Sequence, residues 1–465
     1  MTLEPVLTAE EMRAAEQRAI TAGTSEWELL QSAGKGCAAE ITAFANGKRV
    51  TVLCGPGNNG GDGYVIAEAL RKKGVSVRVV ALTEAETPTA AKARDCYNSD
   101  VESAHSDVEG DILVDCLFGT GLSRPLDPDA HHLLMRNAAL HQTVVAVDLP
   151  SGVVSNTGEI LNGELPKYDY TFALGSWKNA HFLMPSSALL GKRIRVGLGL
   201  EFGDVSGHLF GKPAPTPPDF NAHKYSRGMV AIVGGEMHGA AILASEAAMR
   251  AGAGYVKLAG DTEHPAVPAD LVVDPGPLEE VLGDKRLDAV LIGPGLGRND
   301  TAKAKLEAVF VSGKPAVFDA DALHLITPAM FETSERRCHV LTPHEGELAV
   351  LCEAFGIDRN TKLEKARKLA ETTGCVVAAK GADTIVAAPS APIRFFKPAS
   401  SWLSAAGTGD VLAGVVVSRM AAGEPPLEAA SQAVWLHGEA ARQLGPAFTA
   451  GELARQMRHA LATCL

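Results

Sequence analysis

Short, nearly continuous apolar runs alternate along this chain with longer stretches of helical periodicity. In the first half the runs are RVTVLCG from Arg49, SVRVVAL from Ser76, DILVDCLFG from Asp111, VVAVDLP from Val144, YTFALG from Tyr170 and IRVGLG from Ile194. A strand that is apolar on both sides has no face to give to water, so the pattern predicts parallel sheet covered by helices on both faces. Ahead of the first run, MTLEPVLTAEEMRAAEQRAI reads as an acidic, amphipathic helical region.

The pattern breaks between Glu201 and Arg227, where prolines and glycines gather in EFGDVSGHLFGKPAPTPPDFNAHKYSR and periodicity is lost. Such a stretch reads as an interdomain connection. A second alternating series follows: MVAIVGG from Met229, YVKLAG from Tyr255, DLVVDP from Asp270, AVLIGPG from Ala289, PAVFDAD from Pro315, HVLTP from His339, CVVAAKG from Cys375, DTIVAA from Asp383 and IRFFK from Ile393. No motif recurs at a fixed period, so the halves read as two different α/β domains and not a duplication. The expected division is a first domain over 1–205, a linker over 206–222 and a second domain over 223–465.

Composition narrows the function classes. A chain of 465 residues has room for two large domains. Aromatics at 5% argue against a base-stacking platform, and a net charge of −12 repels nucleic acid and anionic membranes. No apolar run approaches the roughly 18 residues that span a bilayer, and the N-terminus lacks signal-peptide character, so the expected location is cytoplasmic. The eight cysteines form no CxxC pair, which suggests buried hydrophobes rather than a zinc site or a disulfide framework.

Chemistry concentrates where apolar runs end. GTGDVLAG, Gly407 to Gly414, places Asp410 in a glycine-rich turn that opens an apolar helix. Amides at a helix N-terminus attract phosphate, whereas a carboxylate there repels it; Asp410 is therefore either a helix cap or a base for a hydroxyl that attacks phosphorus. Lys380 and Thr384 flank a turn suited to a phosphate or ribose, His344 and Glu345 follow LTP, and Asp319 and Asp321 are metal ligands or caps. The P-loop and protein-kinase signatures are absent. In the first half GPGNNGGDG, Gly55 to Gly63, fits the dinucleotide fingerprint between a strand and a helix. Asn58, Asn59 and Asp62 make that loop unusually polar. Asn59, Asp115 and Ser151 offer oxygen ligands only, which suits a hard cation, and Arg124 could hold a phosphate.

GPGNNGGDG, DCLFGTGLSRP and DLPSG, in that order, resemble the epimerase domain of the NAD(P)H-hydrate repair family. From about His223 onward, GGEMHGAAILAS, GPGLG, KGADT and GTGD resemble that family's ribokinase-like dehydratase domain. The resemblance implies two three-layer α/β/α domains, an N-terminal Rossmann-like epimerase domain and a C-terminal ribokinase-like domain. In the first it implies that Asn58, Asn59, Gly60, Gly61 and Asp62, with Gly119, Thr120, Gly121, Leu122, Ser123, Arg124 and Pro125, contact a hydrated dinucleotide. Asp148 would lie beside the altered ring, and Asn59, Asp115 and Ser151 would hold a potassium ion. In the second, Ala241, Gly295 and His344 would line the hydrated nicotinamide pocket. Lys380, Gly381, Ala382, Asp383, Thr384 and Gly409 would bind the adenine nucleotide, with magnesium, and Asp410 would serve as base. The segment LLQSAG departs from the more acidic, asparagine-containing sequence common at that point. The implied activity is repair of hydrated NADH and NADPH: epimerisation of the R and S hydrates at C6, and dehydration of the S hydrate. ADP is the implied co-substrate, with ATP as the other candidate, and AMP and phosphate are released. Partners are then small molecules, with no nucleic acid and no membrane, and a homo-oligomer is expected. The alternative is a vitamin or sugar kinase with an N-terminal dinucleotide-binding sensor.

Overall fold

The structure is a computed structural model and describes residues 2–106, 108–331 and 338–465. Two compact units make up the chain: Pro5–Gly207, and His208–Leu465 joined by the N-terminal residues up to Glu4. In chain order the strands are β1 (Leu3–Leu7), β2 (Arg49–Cys54), β3 (Ser76–Ala81), β4 (Val101–Ser103), β5 (Ile112–Cys116), β6 (Thr143–Val147), β7 (Tyr170–Leu174), β8 (Trp177–Lys178), β9 (Lys192–Val196) and β10 (Gly207–Phe210). They continue as β11 (Met229–Val233), β12 (Tyr255–Ala259), β13 (Val272–Asp274), β14 (Ala289–Ile292), β15 (Ala316–Phe318), β16 (Val340–Leu341), β17 (Val376–Ala379), β18 (Ile385–Ala387) and β19 (Ile393–Phe395).

In the first unit a sheet in the order β4-β3-β2-β5-β6-β7-β9 is parallel throughout. Alternate residues of each strand feed separate cores. Val52, Val114 and Val145 pack with Ile41, Tyr64, Ile66 and Leu70 on one side. Leu53, Leu113 and Ala146 pack with Leu133 and Leu134 on the other. Both faces are therefore covered, as the apolar runs require. From β2 the chain winds outward through β3 to β4, then returns to β5 and winds the other way. The order reverses between β2 and β5, and that leaves a crevice beyond their carboxyl ends.

The second unit repeats this logic in the order β13-β12-β11-β14-β15-β16-β17-β18-β19-β10. Its reversal lies between β11 and β14. The sheet is parallel from β13 to β17. Val230, Ile232, Leu291, Val317 and Ala378 face a core shared with the helices His238–Arg250, Thr408–Ala421 and Pro426–Leu444. Thr408–Ala421 is buried on nearly every side, and Gly414 lets it approach its neighbour: a Cβ there would lie 2.2 Å from the Ala244 carbonyl oxygen.

Three details depart from the sequence reading. Strand β1 precedes the N-terminal helices Ala9–Thr21 and Glu26–Thr42, which begin at the capping boxes Thr8/Glu11 and Ser25/Glu28. Strand β10 lies inside the segment read as a connection. Both are too short and too mixed in polarity to carry a periodic signal. The runs DTIVAA and IRFFK form antiparallel strands, β18 and β19, because apolar content alone does not encode strand direction. Among the described residues, no helix is long and apolar enough to cross a membrane.

The first crevice depends on close backbone approach. A Cβ on Gly60 would sit 1.8 Å from the Gly55 carbonyl oxygen, whereas one on Gly57 would meet nothing within 4 Å. Gly60→Ala should therefore destabilise the first unit by about 1–3 kcal/mol or more, and Gly57→Ala should cost little. Thermal unfolding of the two variants checks this, and equal melting temperatures would refute it.

Candidate active sites

In the first unit the turn after β2 leads into the helix Asn58–Lys72, whose N-cap, Gly57, supplies no side-chain acceptor. The first-turn amides are thus left for an anion in the crevice. The turn is held by contacts only glycine permits: a Cβ on Gly55 would lie 1.9 Å from the Leu117 carbonyl oxygen, and one on Gly63 would lie 2.8 Å from Cys54 Sγ. Asn58 Oδ1 accepts a bond from the Thr87 hydroxyl at 2.6 Å. Asn59 Nδ2 is buried without a partner, and Gly61 and Asp62 are buried in the first helical turn. Burial, and next the charge of Asp148, push the Asp62 carboxyl well above its ordinary range.

Asp115, at the end of β5, is fully buried. Its carboxylate accepts bonds from the Leu117 amide at 3.1 Å, the Ser151 hydroxyl at 2.6 Å, the Ser151 amide at 3.0 Å and the Tyr168 hydroxyl at 2.7 Å. None of these donors is cationic, and burial outweighs them to raise the Asp115 pKa. Asp148, one residue beyond β6, adopts φ 66°, a costly conformation for a residue other than glycine. Its Oδ1 accepts a bond from the Lys178 ammonium and one from the Leu174 amide at 3.3 Å, and its Oδ2 accepts from the Thr120 amide at 3.3 Å. Burial pushes this carboxyl up, but Lys178 more than reverses the effect and holds it below the ordinary carboxylate range. Where Gly119 lacks a side chain, Asn59 Oδ1 and Asp148 Oδ2 each lie 3.4 Å from the missing Cβ. Gly121, Ser123, Arg124 and Pro125 are exposed on the same loop, with Leu122 partly covered. Sequence reasoning missed Lys178, His181 and Tyr168. A lysine inside the apolar stretch YTFALGSWKNAHF was the available signal.

In the second unit the loops after β11 and β14 meet at the reversal. A Cβ on Gly235 would lie 2.3 Å from Leu296 Cα, and the Met237 amide donates to the Gly295 carbonyl at 2.9 Å. Gly295 has φ 62°. Ala241 is buried in the helix that follows. Asp321 accepts bonds from the Gly297 amide at 3.0 Å and Arg298 Nε at 2.8 Å, which braces the GPGLGR turn. Asp319 is buried and accepts from the Thr342 hydroxyl at 2.7 Å and the Lys380 ammonium at 2.6 Å. Asp319 and Asp321, read as metal ligands or caps, each face a different cation, Lys380 and Arg298. Among the described residues, no cluster of three or more His, Cys, Asp or Glu side chains is arranged to hold a metal.

Asp410 is the third residue of the helix Thr408–Ala421, whose N-cap, Gly407, is left-handed at φ 87° and has no side-chain cap. The capping reading of Asp410 therefore fails. The turn is clamped from behind: the Thr408 hydroxyl donates to the carbonyls of Leu403 and Ala405 at 2.8 and 2.9 Å, and His437 Nε2 bonds the Thr408 carbonyl at 2.9 Å. Lys380 Nζ lies 3.5 Å from the position of a Gly409 Cβ and 3.9 Å from Glu347 Oε2. Burial first, then Asp319, push Asp410 up to about 6 against the pull of Lys380. His344 is an N-cap: its Nδ1 accepts from the Glu347 amide at 3.2 Å, while its ring stays exposed beside Glu347. In the turn Lys380–Thr384, the Thr384 hydroxyl bonds both the amide and the carbonyl of Gly381, Ala382 is exposed, and Asp383 is gripped by Lys362 at 2.6 Å. Glu347, Thr342 and Lys362 escaped the sequence reading; HEGE, with Glu three residues after a cap, was the signal for the first.

Two crevices, each at a sheet's reversal point beside a helix whose N-cap carries no side-chain bond and each holding a carboxylate, fit an α/β enzyme. Residues 230–462 match the family model described as NAD(P)H-hydrate dehydratase, and residues 26–180 match that of the YjeF-related protein N-terminus. The chain is 33% identical to the bifunctional NAD(P)H-hydrate repair enzyme Nnr of Salinibacter ruber, over 95% of this chain and 92% of that protein. It is 31% identical to the Escherichia coli enzyme of the same name, over 97% of this chain and 92% of that protein. The chain belongs to the family of bifunctional NAD(P)H-hydrate repair enzymes. A solved ADP/ATP-dependent NAD(P)H-hydrate dehydratase from Bacillus subtilis, 24% identical, covers 54% of this chain and 95% of its own, with a TM-score of 0.47.

The raised Asp410 pKa has a consequence for stability. The folded state binds this proton more tightly than the unfolded chain does, so the ionised carboxylate opposes folding above pH 6, and the penalty vanishes below the unfolded value near pH 4. Asp410→Asn should raise the stability of the second unit by about 1–3 kcal/mol at pH 8. The gain should disappear near pH 4. Melting temperatures at the two pH values check this, and a loss of stability at pH 8 would contradict it.

Proposed function

We propose that this chain repairs NADH and NADPH whose dihydronicotinamide ring has taken up water across the C5–C6 bond. The first unit interconverts the R and S hydrates at C6, and the second removes water from the S hydrate. Selective dehydration alone strands the R hydrate, which gives one chain a reason to carry both sites. The observation that carries the reading is Asp410: an uncapped carboxylate, held near pKa 6 beside Lys380, at a glycine turn that offers amides to phosphate.

Hydroxide is a poor leaving group. Asp410 takes the proton of the C6 hydroxyl, the oxygen attacks the β-phosphorus of ADP, and AMP departs. The N1 lone pair then expels phosphate, and loss of a C5 proton restores the double bond. The amides of Gly407 and Gly409 and the Lys380 ammonium stabilise charge on the transferring phosphoryl group. Lys380–Thr384 and Gly409 hold the adenine nucleotide, and Ala241, Gly295 and His344 border the hydrated ring. Magnesium would arrive on the nucleotide phosphates and offset their charge, beside the buried acidic groups Asp319 and Glu347, which lie 2.6 and 3.9 Å from Lys380. A kinase that releases a stable phosphate ester is disfavoured, because both units, and not the second alone, belong to the repair family.

In the first unit Asn58–Asp62 and Gly119–Pro125 receive the dinucleotide, and Asp148 works at C6. Asn59, Asp115 and Ser151 fit a potassium ion: all three offer oxygen, and Asp115 is a buried carboxylate whose donors are all neutral. The ion would supply the positive charge missing there. We place the protein in the cytoplasm as a homo-oligomer, with ADP as its nucleotide.

Incubation with hydrated NADH and either ADP or ATP, following absorbance of restored NADH and identifying AMP, tests the reading directly. Recovery with ADP is expected, and its rate should rise with pH through about 6 as Asp410 ionises. Asp410→Ala should abolish dehydration and leave epimerisation intact; Asp148→Ala should do the reverse with pure S hydrate. A phosphorylated product without NADH would sink the repair function.

A further inference from the structure

The first unit contains a clamp around Asp148 that the proposed repair function leaves unexplained. The Asp148 amide donates to the Phe172 carbonyl at 2.8 Å, and its own carbonyl receives His181 Nε2 at 2.8 Å. The imidazole is fixed from its other side, because the Lys178 amide donates to His181 Nδ1 at 2.8 Å. Nδ1 accepts, so the ring proton sits on Nε2 and the ring is neutral; burial, with help from Lys178, pushes it down to about 4. Lys178 is 1% exposed, and its ammonium is divided between Asp148 Oδ1 and the Leu174 carbonyl at 2.6 Å. A lysine this buried is rare unless paired. The clamp sustains the left-handed Asp148 backbone and occupies Oδ1. It turns Oδ2 toward the gap at Gly119, where the loop that receives the ligand crosses.

We propose that Lys178 and His181 are positioning residues that present Asp148 Oδ2 as an anionic proton shuttle, so that the epimerase opens the hydrated ring instead of expelling hydroxide. This rests on the epimerase reading of the first unit. Oδ2 accepts the C6 hydroxyl proton, and the O–H electron pair becomes the second C6–O bond. The C6–N1 bond breaks, its pair stays on N1 and spreads through C2=C3 into the carboxamide, and Asp148 returns the proton to N1. Rotation about C5–C6 offers N1 the other face of the aldehyde, and the same steps in reverse close the ring. No atom is gained or lost, and Asp148 ends as it began. Expulsion of hydroxide needs the opposite equipment: an acid at that oxygen and a water that returns. The other ionisable groups facing Asp148 are Glu16 from the helix Ala9–Thr21, Cys37 from Glu26–Thr42 and Asp62 from Asn58–Lys72. All three are pushed up, chiefly by burial, toward their neutral forms. Lys178 is therefore the group that keeps Asp148 charged.

The unaltered full chain tests the route. R hydrate is epimerised in water enriched in a heavy oxygen isotope, without nucleotide, and the S hydrate is weighed by mass spectrometry against an enzyme-free control. Retention of the original oxygen is expected. One solvent oxygen gained per conversion would overturn the proposal while leaving the epimerase reading intact, and would assign the acid role to neutral Asp62. No R to S conversion at all would sink the epimerase reading itself. Lys178→Met tests the clamp: kcat/KM for R to S conversion should fall by about 100-fold at neutral pH, with the acid limb of its pH profile moved to higher pH. A thermal unfolding profile that keeps the transitions of the unaltered chain reports that the first unit of this variant is folded. An acid limb unchanged in the folded variant would overturn the role of Lys178.

Discussion

A carboxylate withdrawn from water stays charged only where a cation or strong donors face it, and otherwise takes up a proton. Both sheets of this protein bring carboxylates to the buried carboxyl ends of their strands, and each is given a different partner. Asp148 is the carboxylate that Lys178 bonds, and it is held ionised. Asp410 shares Lys380 with Asp319 and Glu347, and is held near pH 6. Asp115 has neutral donors alone and a raised pKa. Asp62 lies beside the charge of Asp148 and is driven toward its neutral form. One physical constraint thus gives four similar side chains different affinities for a proton.

The two lysines depend on the fold. Parallel strands end side by side at a reversal point, so the turns after β2, β5 and β6 converge although they are far apart in sequence. Lys178 reaches Asp148 only because β7 lies next to β6. Lys380, at the end of β17, likewise bonds Asp319 across β16. Burial that would make either lysine costly also makes it effective, since charges interact strongly where water is excluded.

What was legible in the sequence was local. GPGNNGGDG, DLPSG and GTGD announce themselves because turn glycines and the carboxylates they flank lie within a few residues, and the alternation of apolar runs gave both α/β units. His181, Tyr168 and Thr342 were not legible, since their partners lie on neighbouring strands and single residues of those types signal nothing by spacing. Asp410 was ambiguous for the same reason: base and cap share one position, and the structure shows only that it is not the cap, since the N-cap is the left-handed Gly407. The strands β1 and β10 and the antiparallel pair β18 and β19 carry too few residues, or too little directional information, for periodicity to reveal them.

The central claim is that a phosphoryl-transfer turn has been applied to making a hydroxyl leave. S hydrate carrying a heavy oxygen isotope in its C6 hydroxyl, turned over with ADP, decides it by the fate of that oxygen. The account predicts that the label is recovered in the released inorganic phosphate, in step with restored NADH. Label recovered in water, with phosphate unlabelled, would contradict it.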